Sequence, residues 1–85
     1  MQSCSIELKN KTGLHARPAA VFVNKAQTYE SEIEIEKDNR SVNAKSIMGL
    51  MSLGAAFGDT IILKADGNDE EKAVEELTIL VNDFE

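Results

Sequence analysis

Glu32-Ile33-Glu34-Ile35-Glu36-Lys37-Asp38-Asn39-Arg40-Ser41-Val42-Asn43-Ala44 decides the fold class. Ile33 and Ile35 alternate with Glu32, Glu34 and Glu36, the period of a strand with one apolar and one polar face. Asp38-Asn39 reads as a two-residue hairpin turn, and Val42 with Ala44 carries the alternation on beyond it. The glutamate row is most simply the solvated face of one strand. Working outward, Cys4, Ile6 and Leu8 alternate with polar residues, and Thr60 to Ala65 forms a further strand ahead of Asp66-Gly67-Asn68.

Helical periods lie between and after these strands. Counting from Ala19, Phe22, Val23 and Ala26 recur on one face, while Arg17, Asn24, Lys25 and Thr28 fall on the other. In the middle helix Leu50 and Leu53 point to one side, and Ile47, Met48 and Met51 sweep an apolar arc on the other. The last helix opens with Asp69, Glu70 and Glu71, acids that complement a helix N-terminus, and carries Ala73, Val74, Leu77, Leu80, Val81 and Phe84 along one broad side. The order is β-α-β-β-α-β-α. A half-apolar sheet with amphipathic helices implies an α+β layer pair, and residues 1–85 read as a single domain.

Gly13-Leu14-His15-Ala16-Arg17-Pro18-Ala19-Ala20 sets the only histidine where the first helix begins. Proline is tolerated in a first turn, because the N–H it lacks would have no intrahelical partner there. Pro18 therefore permits a start with His15 as the N-cap, or one with Pro18 first and Arg17 as the cap. With His15 at the cap, the amides of Ala16 and Arg17 stand at the positive end of the helix dipole, where backbone N–H groups bind anions. Arg17 adds a guanidinium fork suited to phosphate oxygens. Imidazole is largely unprotonated and nucleophilic near neutral pH, so the group reads as a nucleophile with its own anion cradle.

Gly13 to Ala20, together with Lys45-Ser46-Ile47-Met48-Gly49-Leu50-Met51-Ser52-Leu53-Gly54, resembles the HPr family, the histidine-containing phosphocarriers of the bacterial phosphotransferase system. The resemblance runs from end to end. It implies an open-faced β-sandwich, a four-stranded antiparallel sheet covered on one face by three helices. It also implies that His15 takes a phosphoryl group from phosphorylated Enzyme I, which draws on phosphoenolpyruvate, and passes it to sugar-specific Enzyme IIA domains. His15 is then the phosphohistidine and Arg17 the phosphate stabiliser. Such a protein is a carrier with a covalent intermediate, not an independent catalyst turning over a small substrate.

One short helix on a sheet cannot easily bury both of its apolar sides, and Val21, with Ala20 in part, lies off the buried face of the first helix. Exposed apolar patches mark partner surfaces, and adaptable methionines suit a surface that fits several partners. Ala16, Arg17, Ala20, Val21, Ile47, Met48 and Met51 are therefore expected to form one docking surface around His15, and the matching family positions contact Enzyme I and Enzyme IIA.

Ser46, just before an apolar helical run that ends at Gly54, is an N-cap by position. Lys45 to Gly49 looks like the Gram-positive form of the family, in which this serine is phosphorylated by HPr kinase/phosphorylase to give a corepressor for catabolite control protein A. Phe57 departs from that pattern, since many relatives carry a polar or charged residue there.

Composition narrows the alternatives. A formal charge of −6 opposes general nucleic-acid binding. No stretch is long enough to cross a bilayer and there is no basic-apolar leader. The single Cys4 cannot form an internal disulfide and reads as a buried strand residue, which points to a reducing cytoplasm. Neither nucleotide nor metal cofactor is implied, since no Walker loop or ligand cluster is present. The reading is of a cytoplasmic monomer. A nitrogen-branch carrier would differ mainly in its partners, although the Ser46 neighbourhood favours the sugar branch. An acylphosphatase-like enzyme would also have an arginine near a helix start but needs no histidine. A purely regulatory paralogue would keep Ser46 without needing His15.

Overall fold

A computed structural model describes residues 1–11, 13, 14 and 16–84. Strand β1 (Gln2–Glu7), helix α1 (Ala16–Ala26), strands β2 (Glu32–Lys37) and β3 (Arg40–Asn43), helix α2 (Ile47–Ser52), strand β4 (Thr60–Asp66) and helix α3 (Glu70–Asn82) follow in that order. The strands form one antiparallel sheet in the order β1-β4-β2-β3. This is the β-α-β-β-α-β-α open-faced sandwich.

The register explains why one face is covered. Cys4, Leu63, Ile35 and Val42 lie side by side across the four strands. The next row, Ser5, Ile62, Glu36 and Ser41, points the other way because side chains alternate along a strand. The helices lie over the first set, with α3 against β1 and β4, α1 against α3 and α2, and α2 against β3. Phe22, Ile33, Ile35, Leu50, Ile61, Leu63 and Leu77 are sealed between the layers, each worth about 1.5–3 kcal/mol of burial.

The hairpin turn is as the sequence predicts. Asp38 and Asn39 take φ of 52° and 68°, the paired positive values of a type I′ turn. On the open face Glu32 and Glu34 are exposed, as a solvated row requires. Glu36 is not simply solvated: it accepts a hydrogen bond from Lys64 Nζ, which holds its carboxyl below the usual range. Cys4 is half-buried against the core rather than sealed within it. Leu8, one residue past β1, is buried and extends the ladder: its N–H donates to Asp59 O and its C=O accepts from Gly58 N, both at 2.8 Å. No helix among the described residues is long and apolar enough to cross a membrane.

Asp69 precedes α3, but its side chain makes no bond to its own helix. It turns instead to the loop before β2, accepting from Glu30 N at 2.9 Å, Ser31 N at 2.9 Å and Ser31 Oγ at 2.5 Å. Three donors on one carboxylate favour the charged form. Led by the Ser31 hydroxyl, they depress its pKa to about 2. The chain comes so close here that a Cβ on Gly67 would sit 2.6 Å from Ser31 Cα. A carboxyl lowered on folding stabilises fully above its unfolded value of about 3.9, and that contribution fades as pH falls through the folded one. Asp69→Ala should therefore lower the thermal midpoint at pH 7, with the deficit closing between pH about 4 and about 2, as followed by circular dichroism melts.

Candidate functional site

The segment leading to His15 is moored to the neighbouring loop between α2 and β4. Gly13 has φ of +57°, and a Cβ on it would lie 2.5 Å from Ala55 O and 2.6 Å from Ala56 Cα, so both its conformation and its surroundings demand glycine. Gly13 N–H donates to Asn10 O at 3.2 Å, and Asn10 Nδ2 returns a bond to Gly13 O at 2.8 Å. The next residue, Leu14, is buried and donates its N–H to Ala55 O at 3.0 Å. His15 itself lies outside the described residues.

Helix α1 opens at Ala16, so Arg17 stands in its first turn and is not its cap. The sequence left that register open, and α1 takes the earlier start, one turn before the Ala19–Phe22–Val23–Ala26 face packs down. The amides of Ala16 and Arg17 are among the first four of a helix, which have no acceptor within it. No acid stands in that first turn. Arg17 is exposed and, among the described residues, has no carboxylate partner. An unpaired guanidinium beside free amides has the chemistry to take an oxyanion.

Helix α2 packs beside α1 and is held at both ends. Ser46 caps it: Ser46 Oγ accepts from Gly49 N at 3.1 Å, with the extended backbone of an N-cap. Lys45 Nζ donates to Tyr29 O at 2.8 Å and Gln27 Nε2 to Lys45 O at 3.3 Å, which tie its start to the end of α1. At the other end Arg40 Nη1 donates to Ser52 O at 3.2 Å, and Gly54 takes the positive φ of 63° that ends the helix.

That anchoring sorts the apolar side chains as the sequence predicts. Leu50 and Leu53 are buried. Met48 is 82 % exposed, and Val21, Ile47 and Met51 each between 40 and 45 %. Ala16 is exposed and Ala20 half-buried. Phe57, which sequence reading singled out only as a departure, is 64 % exposed two residues from the Ala55 carbonyl that holds Leu14. Asn10 and Asp59 act on backbone three residues away, at Gly13 and Ala56, whereas the role of Ala55 follows from its contact with the distant Leu14; the local signal is Gly58-Asp59, a turn dipeptide.

Charge is partitioned along the same lines. Residues 8–29 and 39–58 hold Lys9, Lys11, Arg17, Lys25, Arg40 and Lys45 and no carboxylate, while all the acids lie elsewhere. The fold brings these two segments together through the α1–α2 packing and the Leu14–Ala55 bond.

A four-stranded antiparallel sheet under three helices, with a glycine-moored segment running into an arginine-bearing helix start, defines a class of small open-faced α+β domains with a helix start suited to an anion. Residues 2–83 match the family described as the phosphotransferase-system (PTS) HPr component phosphorylation site. The chain is 58% identical over 76 residues to the HPr-like protein Crh of Halalkalibacterium halodurans, covering 89% of this chain and 90% of that one. It is 49% identical over 80 residues to the phosphocarrier protein HPr of Neisseria meningitidis, covering 94% and 90%. Among solved structures, HPr-C-His from Thermoanaerobacter tengcongensis superposes with a TM-score of 0.94 at 56% identity, covering 96% of this chain and 92% of that one. The chain belongs to the HPr family of phosphotransferase-system phosphocarriers.

Gly13→Ala tests the mooring. A methyl group there meets backbone atoms at positive φ, so urea unfolding should show a loss of about 1–3 kcal/mol, larger than that of Gly58→Ala, which shares a positive φ of 87° but whose added Cβ meets nothing within 4 Å.

Proposed function

We propose that this chain accepts a phosphoryl group from phosphorylated Enzyme I on His15 and passes it to sugar-specific Enzyme IIA domains in the cytoplasm, working as a monomer. The match of Gly13 to Ala20 to the family, with Arg17 exposed and unpaired in the first turn of α1, carries the reading. Unprotonated Nδ1 of His15 attacks the phosphorus in line. The new P–N bond forms as the bond to the Enzyme I donor group breaks, that group keeps the electron pair, and the ring proton stays on Nε2. Arg17 and the amides of Ala16 and Arg17 balance charge on the equatorial oxygens. A short, exposed cradle holds the group loosely, as a carrier must, and release to Enzyme IIA repeats the step in reverse.

Docking falls to Ala16, Arg17, Ala20, Val21, Ile47, Met48 and Met51. Their apolar tops supply buried contact, and the acid-free segments around them suit an acidic partner surface. Incubation with Enzyme I and phosphoenolpyruvate should place one acid-labile phosphate on the wild-type chain, mapped to His15 by mass spectrometry and lost in His15→Ala. Met48→Asp should keep the site but slow transfer about tenfold or more. A phosphate-free wild-type chain, or a Met48→Asp variant as fast as wild type, contradicts the carrier or its docking face respectively.

Ser46 is the regulatory position in this proposal, phosphorylated by HPr kinase/phosphorylase to yield a ligand for catabolite control protein A. The 58% identical relative named HPr-like protein Crh favours this second role, while His15 argues against a solely regulatory one. A phosphate at a helix start suits the dipole, and it places nearly two negative charges on the docking face. Ser46→Asp should therefore melt within a few degrees of wild type yet take phosphate from Enzyme I several-fold more slowly, with the deficit shrinking as salt is added.

A further inference from the structure

The turn Ala56-Phe57-Gly58-Asp59 is closed twice. Asp59 N–H donates to Ala56 O at 3.0 Å, and Ala56 N–H donates back to Asp59 Oδ2 at 2.9 Å. The same Oδ2 receives Lys37 Nζ at 3.4 Å from the end of β2. Lys37 is mostly buried and its ammonium also reaches Asp38 at 3.6 Å, so the cation is held in place rather than swinging in solvent. Gly58 and Asp59 are further fixed by the pair of backbone bonds to Leu8. The turn is thus a rigid bracket, and what it bears is the Ala55 carbonyl that accepts Leu14 N–H and the Ala56 backbone against which Gly13 packs.

Asp59 is the only side chain among the described residues that bonds the amide of this bracket. Without it, Ala56 N–H must find water, and the turn retains only the ordinary bond that many turns lack. Loosening the bracket loosens Leu14, and Leu14 is covalently next to His15. Displacement of a reacting group by about 1 Å is enough to cost a large part of its rate. We propose that Asp59 is a positioning residue for phosphoryl acceptance: through Ala56 and Ala55 it holds the Gly13–Leu14 backbone from which His15 is presented. This rests on the carrier reading above. It assigns Asp59 no contact with phosphate or partner: the oxygen it uses, Oδ2, is the one that takes Ala56 N–H and Lys37.

The test compares Asp59→Ala, which removes the acceptor, with Asp59→Asn, which keeps an oxygen for Ala56 N–H. Amide hydrogen exchange at Leu14 should quicken about five- to tenfold in Asp59→Ala, while the central-strand amide of Leu63 changes far less. In single-turnover transfer from phosphorylated Enzyme I, Asp59→Ala should lower the limiting rate about tenfold with the half-saturating concentration unchanged, because α2 still docks. Asp59→Asn should recover to within about twofold in both readouts. Unchanged Leu14 protection in Asp59→Ala overturns the proposal, as does a wild-type limiting rate, or an Asp59→Asn variant as slow as Asp59→Ala. Exchange at Leu14 needs no Enzyme I, so a wild-type chain that takes no phosphate refutes the carrier reading, and unchanged exchange refutes the bracket.

Discussion

The site depends on one close crossing of backbone, where Gly13 lies against Ala55 and Ala56 and Leu14 bonds the Ala55 carbonyl. The loop after β1 and the loop before β4 leave the same end of the sheet, where Glu7 pairs with Thr60, and meet there backbone to backbone. The crossing fixes the backbone of Gly13 and Leu14, and so where the chain enters α1. Sheet and helices supply the frame for this contact: β1 delivers the first loop, α2 the second, and the pairing of β1 with β4 brings them side by side.

The layer pair divides labour cleanly. Buried rows on one sheet face and the inner faces of α1, α2 and α3 carry the stability. The tops of α1 and α2 are left apolar and open, and stay so because Ser46, Lys45 and Arg40 hold α2 from its ends instead of over its surface. A six-residue helix has too few internal bonds to stand alone. Its external ties are what allow three large side chains to remain uncovered without the helix collapsing onto them.

Periodic features of the chain were legible in its sequence, because they are set by neighbours a few residues away. The Asp38-Asn39 turn, the alternation of Ile33 and Ile35 with glutamates, the Ser46 cap and the split between Leu50 and Met48 are all of this kind. Features decided by distant partners were not. Asp69 looked like an acid serving its own helix, yet Glu30 and Ser31, some 38 residues away in the chain, offer it three donors at once. Glu36 looked solvated until Lys64 stood across the sheet from it. The start of α1 could be read in two registers because proline fits either, and the buried Ala19–Phe22 face, common to both, could not choose between them. The motif around His15 and Arg17 was legible as chemistry, whereas Gly58-Asp59 announced only a turn, and its contact through Ala55 with Leu14 had no local pattern.

The acid-free stretches around α1 and α2 have a consequence for motion through solution. With fifteen carboxylates confined to the remaining segments, the molecule carries a net negative charge, yet the tops of α1 and α2 bring basic side chains and no acid of their own. In the field of an acidic surface such a body experiences torque as well as force, and it turns the α1–α2 patch inward before contact. Rotational search is thereby shortened before any side chain touches, which suits a molecule that must shuttle between donors and acceptors without lingering on either.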